Sequence, residues 1–356
     1  MVNQMDNGQE THASIRFILT GSCQSGCDFC HLEGNRPAGY SVLHPDISGW
    51  REKDHKLPLL QRLSYPADLQ DVEFIIKLGR ILNINEVHLT GGEPTIHPQL
   101  VEFVSKFKNA GFSVDMTTHG EYAVEVLGKL FLANLDGIVF SLHCTTPEDY
   151  LSMDLMAQQL EERFGLEKAI TYAKSRLQMK KTNILKSLDW QKKVGRFDVR
   201  ANHVIRNSSA TIAVIRFCNE HGLKIRLQRD LNKRLESGKV LEEVIALLNA
   251  HKVCEEDGLY DSSDRRVVYQ YRLKNGQKGQ FQVKDFSPVY LPLICQNCEL
   301  RNSSRCRERF YGIRVQHGHV RLCIDRHDKK ALYDFKSFLE NKYSVMDELK
   351  SQYHVS

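Results

Sequence analysis

Three cysteines near the N-terminus have the spacing of a metal-binding loop. They are Cys23, Cys27 and Cys30, in the pattern C-x3-C-x2-C, and they directly follow a short apolar stretch. Three thiolates from one compact loop can bind three corners of a four-iron cluster and leave the fourth iron open to an external chelating ligand. Structural zinc is the alternative, but zinc usually takes four ligands, and His31 lies too close to Cys30 to converge readily. The spacing therefore favours an iron–sulfur cluster with an open iron.

A second group of cysteines lies towards the C-terminal end. Cys295, Cys298 and Cys306 form the pattern C-x2-C-x7-C, and Cys323 follows after a predicted hairpin. Four thiols on irregular backbone indicate an auxiliary iron–sulfur cluster, and a four-cysteine zinc site of similar spacing stays open as the alternative. A cluster bound by all four would be structural or electron-transferring. A cluster bound by three could also bind substrate.

The composition narrows the class of protein. The chain has 356 residues, with 41% hydrophobic and 26% charged residues, which is typical of a globular domain. No apolar run approaches the roughly 20 residues that span a bilayer, and residues 1–12 lack the pattern of a secretion signal, so we expect a cytoplasmic protein without a membrane partner. The net charge of +5 suits an anionic substrate better than nucleic acid. Grouped cysteines in such a protein indicate metal binding rather than disulfides.

Short apolar strands alternate with helical segments through the first two thirds of the chain. This alternation predicts a parallel sheet with helices on its outer face, and six strands favour a partial (β/α)6 TIM-type barrel. The residues that could do chemistry follow the strands directly, so we expect them at the carboxyl edge of the sheet. The predicted strands are residues 15–20, 86–90, 113–117, 136–142, 199–205 and 223–227.

The pattern changes after Leu231. Hairpins are predicted at residues 266–286, turning at Asn275-Gly276, and at 310–324, turning near His317-Gly318, and an amphipathic helix closes the chain. The second cysteine group lies between the hairpins, as a cysteine-rich extension of the barrel. The predicted organisation is a polar tail (residues 1–12), a partial-barrel core (13–235), an auxiliary-cluster module (236–330) and a C-terminal helix (331–356).

The first cysteine loop, with the aromatic Phe29 before its third cysteine, resembles the signature of the radical S-adenosylmethionine (SAM) superfamily. Gly91-Gly92-Glu93-Pro94, after the second strand, resembles that superfamily's motif for the amino group of the methionine moiety. Glycines allow close backbone approach, and Glu93 can accept from an ammonium group. The resemblance implies an enzyme whose [4Fe–4S] cluster cleaves SAM into methionine and a 5′-deoxyadenosyl radical. It also implies a flavodoxin- or ferredoxin-type reductant.

Further motifs resemble the GTP cyclases that begin molybdenum-cofactor synthesis. Residues 15–20 are similar to their entry strand, and Thr117-Thr118-His119-Gly120 to their Thr-Thr-Asn-Gly motif. Ser141-Leu142-His143 is similar to the end of their fourth strand, and Arg200-Ala201-Asn202 to their Lys-x-Asn strand. Taken singly, such residues are more often caps of strands or helices. Together the resemblance implies that Thr118, Ser141 and Asn202 contact SAM and that the backbone near Phe29 meets its adenine.

The same resemblance suggests where a substrate binds. The segment 311–315 is similar to a strand that lines the cyclases' GTP pocket, so Arg314 is a candidate substrate contact. Arg16 and Arg200 match other basic positions of that pocket, and Arg226 is available beside them. The leading hypothesis is hydrogen abstraction leading to cyclisation or rearrangement of a nucleotide-like or other anionic small molecule. The alternative is a twitch- or SPASM-type enzyme that modifies a peptide or a natural-product intermediate.

Three departures set this chain apart from those cyclases. Glu86 and His88 stand where the cyclases carry basic residues that bind the nucleotide, and the chain lacks their C-terminal Gly-Gly tail. Residues 175–198 expand a normally short connection and are rich in lysine and arginine. Such a run is predicted to be a solvated helix face, with docking of an acidic partner as the alternative.

Overall fold

The computed structural model describes most of the chain outside the N-terminal tail, the segment after the first cysteine loop and several C-terminal connections. None of the helices in this part combines the length and the apolar composition that spanning a bilayer needs. The described residues are 14–30, 66–230, 233–256, 264–272, 276, 278–286, 295–296, 298, 313–323, 332–340 and 345–352.

The central sheet confirms the predicted α/β class. Its first strands lie side by side in chain order and are all parallel, as a partial (β/α)6 barrel requires. The observed strand ends differ from the predicted ones by at most two residues. These strands are β1 (Ser14–Ile18), β2 (Glu86–Thr90), β3 (Ser113–Thr118), β4 (Gly137–Ser141), β5 (Asp198–Ile205) and β6 (Lys224–Arg229).

The C-terminal part extends this sheet at both edges. The strand β9 pairs in parallel with β6, and β10 pairs in parallel with β1. Both predicted hairpins are present, as the antiparallel pairs β8–β9 and β10–β11. The division at residue 235 stays a prediction, and that residue lies inside a helix. The added strands are β7 (His251–Glu256), β8 (Asp264–Arg272), β9 (Lys278–Phe286), β10 (Ile313–Gln316), β11 (His319–Arg321) and β12 (Leu332–Asp334).

Helices follow most of the strands and contribute buried apolar residues to the core. In the first, Asp68 caps the N-terminus through a capping box with Asp71, and the buried face is apolar at helical spacing. The described helices are α1 (Leu69–Leu82), α2 (Leu100–Asn109), α3 (Val124–Leu132), α4 (Pro147–Met153), α5 (Leu155–Phe164), α6 (Leu166–Val194), α7 (Ser208–Glu220), α8 (Arg234–Leu247), α9 (Phe335–Glu340) and α10 (Val345–Gln352), with a 3₁₀ turn at Pro94–Ile96.

The basic segment 175–198 belongs mainly to α6, a single helix of 29 residues. Lys186, Lys192 and Lys193 are exposed, as the prediction of a solvated face requires. Lys180 departs from that prediction, because only 2% of it is exposed. It lies in the buried stripe of the helix between Leu177 and Ile184, where the spacing of three and four residues matches one helix face.

Candidate active site

A cavity of about 240 Å³ lies against one face of β1–β6. Its walls include the three cysteines of the first group and Phe29. They also include the other six residues that the SAM resemblance assigns, namely Gly91, Gly92, Glu93, Thr118, Ser141 and Asn202. Alternate residues of each strand reach the cavity, because successive side chains of a strand point to opposite faces.

The cysteine loop is held on one side by the junction of α4 and α5. The Asp154 carboxylate accepts from the backbone N–H groups of Gly26 and Ala157, both at 2.9 Å, so it caps α5 and anchors the loop together. The N–H of Leu155 donates to the Gly26 carbonyl at 3.0 Å, and that of Asp28 donates to the Met153 carbonyl at 3.1 Å. The sequence did not reveal this anchor, since Asp154 is remote from the loop in the chain.

Replacing Asp154 with alanine is expected to destabilise the fold by about 2–4 kcal/mol, because it removes a helix cap and leaves the buried Gly26 N–H unpaired. Urea unfolding and the iron retained after desalting measure the effect. Asp154→Asn is the matched control, since it keeps one acceptor oxygen. Its stability and its iron content should lie between those of the alanine variant and the wild type. An alanine variant with wild-type stability and iron content would contradict this account of the loop.

The Gly91-Gly92 pair holds the other side of the loop. The Gly92 N–H donates to the Thr20 carbonyl at 2.7 Å, and the Glu93 N–H donates to the Ser22 carbonyl at 2.9 Å. A Cβ atom on Gly92 would lie 2.0 Å from the Ser22 oxygen, and Gly91 has a φ of +143°. The pair therefore lets the cysteine loop pack directly on the end of β2, a role additional to the predicted approach to SAM.

The three thiols of the first group line the cavity together, so they can share one metal site. Burial raises the pKa of Cys23 and Cys27, so the thiols stay protonated until positively charged iron favours the thiolate.

Glu93 fastens the end of β3 to this arrangement. Its carboxylate accepts from the Thr95 and Thr118 hydroxyls, both at 2.6 Å, and from the His119 N–H at 2.8 Å. Only 1% of Glu93 is exposed, although it contributes to the cavity wall. Contact of this carboxylate with the SAM ammonium stays a prediction.

His119, which replaces the cyclases' asparagine, reaches the cysteine loop. Its Nδ1 accepts from the Glu121 N–H at 2.8 Å, so its Nε2 carries the proton and can donate to Gln24 Oε1 at 3.2 Å. The substitution therefore adds a side-chain link between β3 and the residue after Cys23.

Phe29 is fixed by two neighbours. The His143 ring meets it edge-on at 4.7 Å, and the Arg206 guanidinium lies 5.3 Å from its centroid. Arg206 also pairs with both carboxylate oxygens of Asp28, at 2.5 and 2.6 Å. These contacts hold the Asp28-Phe29 segment, whose backbone is the predicted adenine contact.

His203 supports the end of β4 from below. Its Nδ1 lies 3.1 Å from the Leu142 carbonyl, and burial lowers its pKa to about 4. The unfolded chain, with an ordinary histidine pKa near 6.5, therefore binds this proton more readily, and stability falls as the pH drops from 6.5 towards 4.

The lowered pKa of His203 is expected to reduce the free energy of unfolding by about 2 kcal/mol at pH 5 relative to pH 8. Urea unfolding of the iron-free protein at both pH values measures it. Between pH 8 and pH 5, the His203→Gln variant should lose about 2 kcal/mol less stability than the wild type. The control His221→Gln changes an exposed histidine and should follow the wild type. Equal losses in all three proteins would contradict the assignment.

A polar network lines the floor of the cavity. Asp115 pairs with His88 Nδ1 at 2.6 Å and with Arg200 at 3.0 Å, and His88 Nε2 lies 2.8 Å from the Thr117 hydroxyl. Burial opposes ionisation of Asp115, but His88, Arg200 and Arg16 lower its pKa overall. His88 is therefore part of a hydrogen-bonded network with Asp115.

Basic residues continue the wall towards β6 and β9. Of the predicted substrate contacts, Arg16, Arg200 and Arg226 line the cavity. Arg229 and Lys284 line it as well, and the sequence interpretation missed both. The pairing of β9 with β6 places Lys284 there, and no local sequence pattern predicts that pairing.

The other predicted residues that the structure describes are not part of the lining of this cavity. Arg314 is 0% exposed and lies in register with Arg16 across β10 and β1, but it is not part of the cavity lining. Cys295, Cys298 and Cys323 are partly buried, and the Cys298 N–H donates to the Cys295 carbonyl at 3.2 Å. Cys306 and His31 are outside the described residues. The substrate role of Arg314 and the auxiliary site stay predictions.

Residues 17–174 match the sequence family described as the radical SAM superfamily. This match contains the first cysteine loop and the Gly91-Gly92-Glu93-Pro94 motif. This segment of the chain is a radical SAM domain. The prediction of a radical SAM enzyme is thereby confirmed.

Two relatives carry the name probable GTP 3′,8-cyclase. The protein from Sulfolobus acidocaldarius is 25% identical over 346 residues, which cover 94% of this chain and 87% of that protein. The protein from Thermococcus kodakarensis is 30% identical over 162 residues, but these span only 45% of this chain and 44% of that protein. The longer alignment includes the C-terminal part of this chain.

Among solved structures, Streptococcus suis SuiB bound to S-adenosylmethionine superposes with a TM-score of 0.50 at 12% identity. The superposition covers 96% of this chain and 64% of the SuiB chain. At this identity the likeness concerns the fold alone, and it supports the predicted partial barrel.

Proposed function

We propose that Cys23, Cys27 and Cys30 bind a [4Fe–4S] cluster and that the adjoining strand ends bind SAM on its open iron. The observation that carries this proposal is the shared cavity, which these cysteines line together with the residues assigned to SAM. Gly91 and Gly92 would offer backbone to the methionine moiety, and Thr118, Ser141 and Asn202 would bind its polar groups. Phe29 would meet the adenine, held in place by His143 and Arg206.

When bound, the cluster and SAM supply a 5′-deoxyadenosyl radical that abstracts hydrogen from an unactivated carbon, after reduction by a flavodoxin- or ferredoxin-type protein. The protein's part is to orient the substrate and to exclude competing reactions. The cavity supports that role, since the cysteine loop and the strand ends line it together.

The substrate is proposed to be a nucleotide-like or other anionic small molecule. The Asp115 carboxylate lies at β3, so negative groups of the substrate are expected nearer the basic wall of β6 and β9. Arg226, Arg229 and Lys284 form that wall. The name of the relatives makes GTP the first compound to test.

A second candidate is modification of a peptide or a natural-product intermediate. The four cysteines of the second group favour it, because Cys295, Cys298, Cys306 and Cys323 could bind an auxiliary cluster completely. An auxiliary cluster without an open iron could not bind a nucleotide and would serve structure or electron transfer.

Anaerobic reconstitution tests the proposal. The full chain is loaded with iron and sulfide, its metal content is measured, and SAM with dithionite is added in the presence and absence of GTP. We expect 5′-deoxyadenosine in both cases and a cyclised nucleotide only with GTP. Formation of 5′-deoxyadenosine without any change in GTP would favour the second candidate. A protein that holds zinc and forms no 5′-deoxyadenosine would refute the proposal.

A further inference from the structure

A buried group of charged residues lies behind the cysteine loop. The Glu121 carboxylate pairs with Lys180 Nζ at 3.0 Å and with Arg176 Nε at 2.7 Å, and it accepts from the Tyr150 hydroxyl at 3.0 Å. Burial opposes the charge of Glu121, but Lys180, His119 and Arg176 lower its pKa to about 2, so it is ionised. Burial likewise opposes the charge of Lys180, but Glu121 raises its pKa.

These charges are connected to the residues that surround the cluster site. The Ser25 hydroxyl, in the cysteine loop, donates to Glu121 at 3.4 Å, and Lys180 Nζ donates to the Ser141 carbonyl at 3.2 Å. Gly120 provides room for the lysine, since a Cβ atom there would lie 3.3 Å from Lys180 Cγ. Both members of the pair therefore lie beside the wall that holds the thiols.

The fold alone gives little reason for this pair. A buried ion pair contributes weakly to stability, because the cost of desolvating two charges offsets their attraction, and apolar side chains of similar size often serve as well. Asn183 already ties α6 to the end of β3 by donating to the carbonyls of Gly120 and Tyr122, at 3.0 and 2.8 Å. The electric field that these two charges create gives them another possible role.

This field reaches the cysteine loop through Ser25, which lies between Cys23 and Cys27 in the sequence and donates to Glu121 Oε2. The Lys180 ammonium lies 3.0 Å from Oε1 of the same carboxylate. Charges in a poorly solvated interior interact more strongly than charges at a surface, because little water screens them. Net charge and surrounding electrostatics are among the factors that set the reduction potential of iron–sulfur clusters.

We propose that the Glu121–Lys180 pair sets the reduction potential of the cluster bound by Cys23, Cys27 and Cys30. This inference rests on the proposed function. A cluster that accepts one electron becomes more negative, so Lys180 stabilises the reduced form and Glu121 destabilises it. The long helix α6 thus serves as an electrostatic support that holds a cation beside the cysteine loop.

Opposite charge changes give the sharpest test. The reconstituted full chain is titrated with dithionite under anaerobic conditions, and the midpoint potential is read from the electron paramagnetic resonance signal that SAM perturbs, which identifies the cluster with an open iron. Lys180→Met is expected to shift the potential to a more negative value, and Glu121→Gln to a more positive one. The double variant should return close to the wild type.

Three further variants control for structure. Lys180→Arg keeps the charge and should leave the potential near that of the wild type, and Lys186→Met changes an exposed lysine of the same helix and should not shift it. If Lys180→Met takes up no iron, Arg176→Met removes the other cation paired with Glu121 and should also shift the potential negatively. Unchanged potentials, or shifts of one sign in both Lys180→Met and Glu121→Gln, would overturn the inference. A wild-type protein without a four-iron signal would instead refute the proposed function.

Discussion

Cys27→Ala is expected to abolish SAM cleavage, with 5′-deoxyadenosine falling to the level seen without enzyme. The variant keeps only two thiolates of the loop, and an iron without its protein ligand is readily lost from such a cluster. Cys27 is the central cysteine of the loop and lines the cavity between the α4–α5 junction and the sheet. Iron and sulfide content, together with chromatographic detection of 5′-deoxyadenosine, measure the effect.

Cys218→Ala provides the matched control. Cys218 is a buried cysteine of α7 in the apolar core, and it does not line the cavity. Its substitution removes one buried thiol and is expected to leave iron content and SAM cleavage near the wild-type values. If Cys27→Ala kept its iron and its activity, or if Cys218→Ala lost them equally, the assignment of the first cysteine loop would be wrong.

The second large effect is expected from Gly92→Ala, which adds a single methyl group. Its Cβ would lie 2.0 Å from the Ser22 carbonyl oxygen, and that atom belongs to the backbone, so the end of β2 and the cysteine loop must separate. We expect a loss of at least about 2 kcal/mol in the free energy of unfolding, with strongly reduced iron binding. Urea unfolding and iron analysis measure both quantities.

Gly128→Ala makes the same chemical change at an open position. Gly128 lies in α3 with no atom within 4 Å of the added Cβ, and alanine is the better helix former. This variant should be more stable by up to about 1 kcal/mol and should bind iron normally. If Gly92→Ala were as stable as Gly128→Ala and bound as much iron, the cysteine loop would not need to lie so close to the end of β2.

The local patterns of the sequence determined much of this protein. The C-x3-C-x2-C spacing, the Gly91-Gly92 pair and the alternation of apolar strands with helices all lie within short segments. The structural features that they specify can therefore be predicted without knowledge of long-range contacts. Parallel strands have their carboxyl ends at one edge of the sheet, so the order of motifs along the chain was enough to predict a common site.

Only the tertiary structure decided which charged residues face that site. Lys284 reaches the cavity because β9 pairs with β6, and a hairpin pattern does not specify the strand beside which the hairpin will lie. His88 and Asp115 meet because β2 and β3 are adjacent in register. Such contacts depend on pairing between segments that are separate in the chain.

Lys180 gives the clearest case. A lysine in a basic run is predicted to be solvated, because lysine is almost never fully buried unless it is paired. Helical spacing places it in one stripe with Leu177 and Ile184, but spacing alone does not tell which face of a helix packs inwards or where a partner for the charge will be found. The partner is Glu121, at the end of a different strand, and only the packing of α6 across that strand end brings the two charges together beside the cysteine loop.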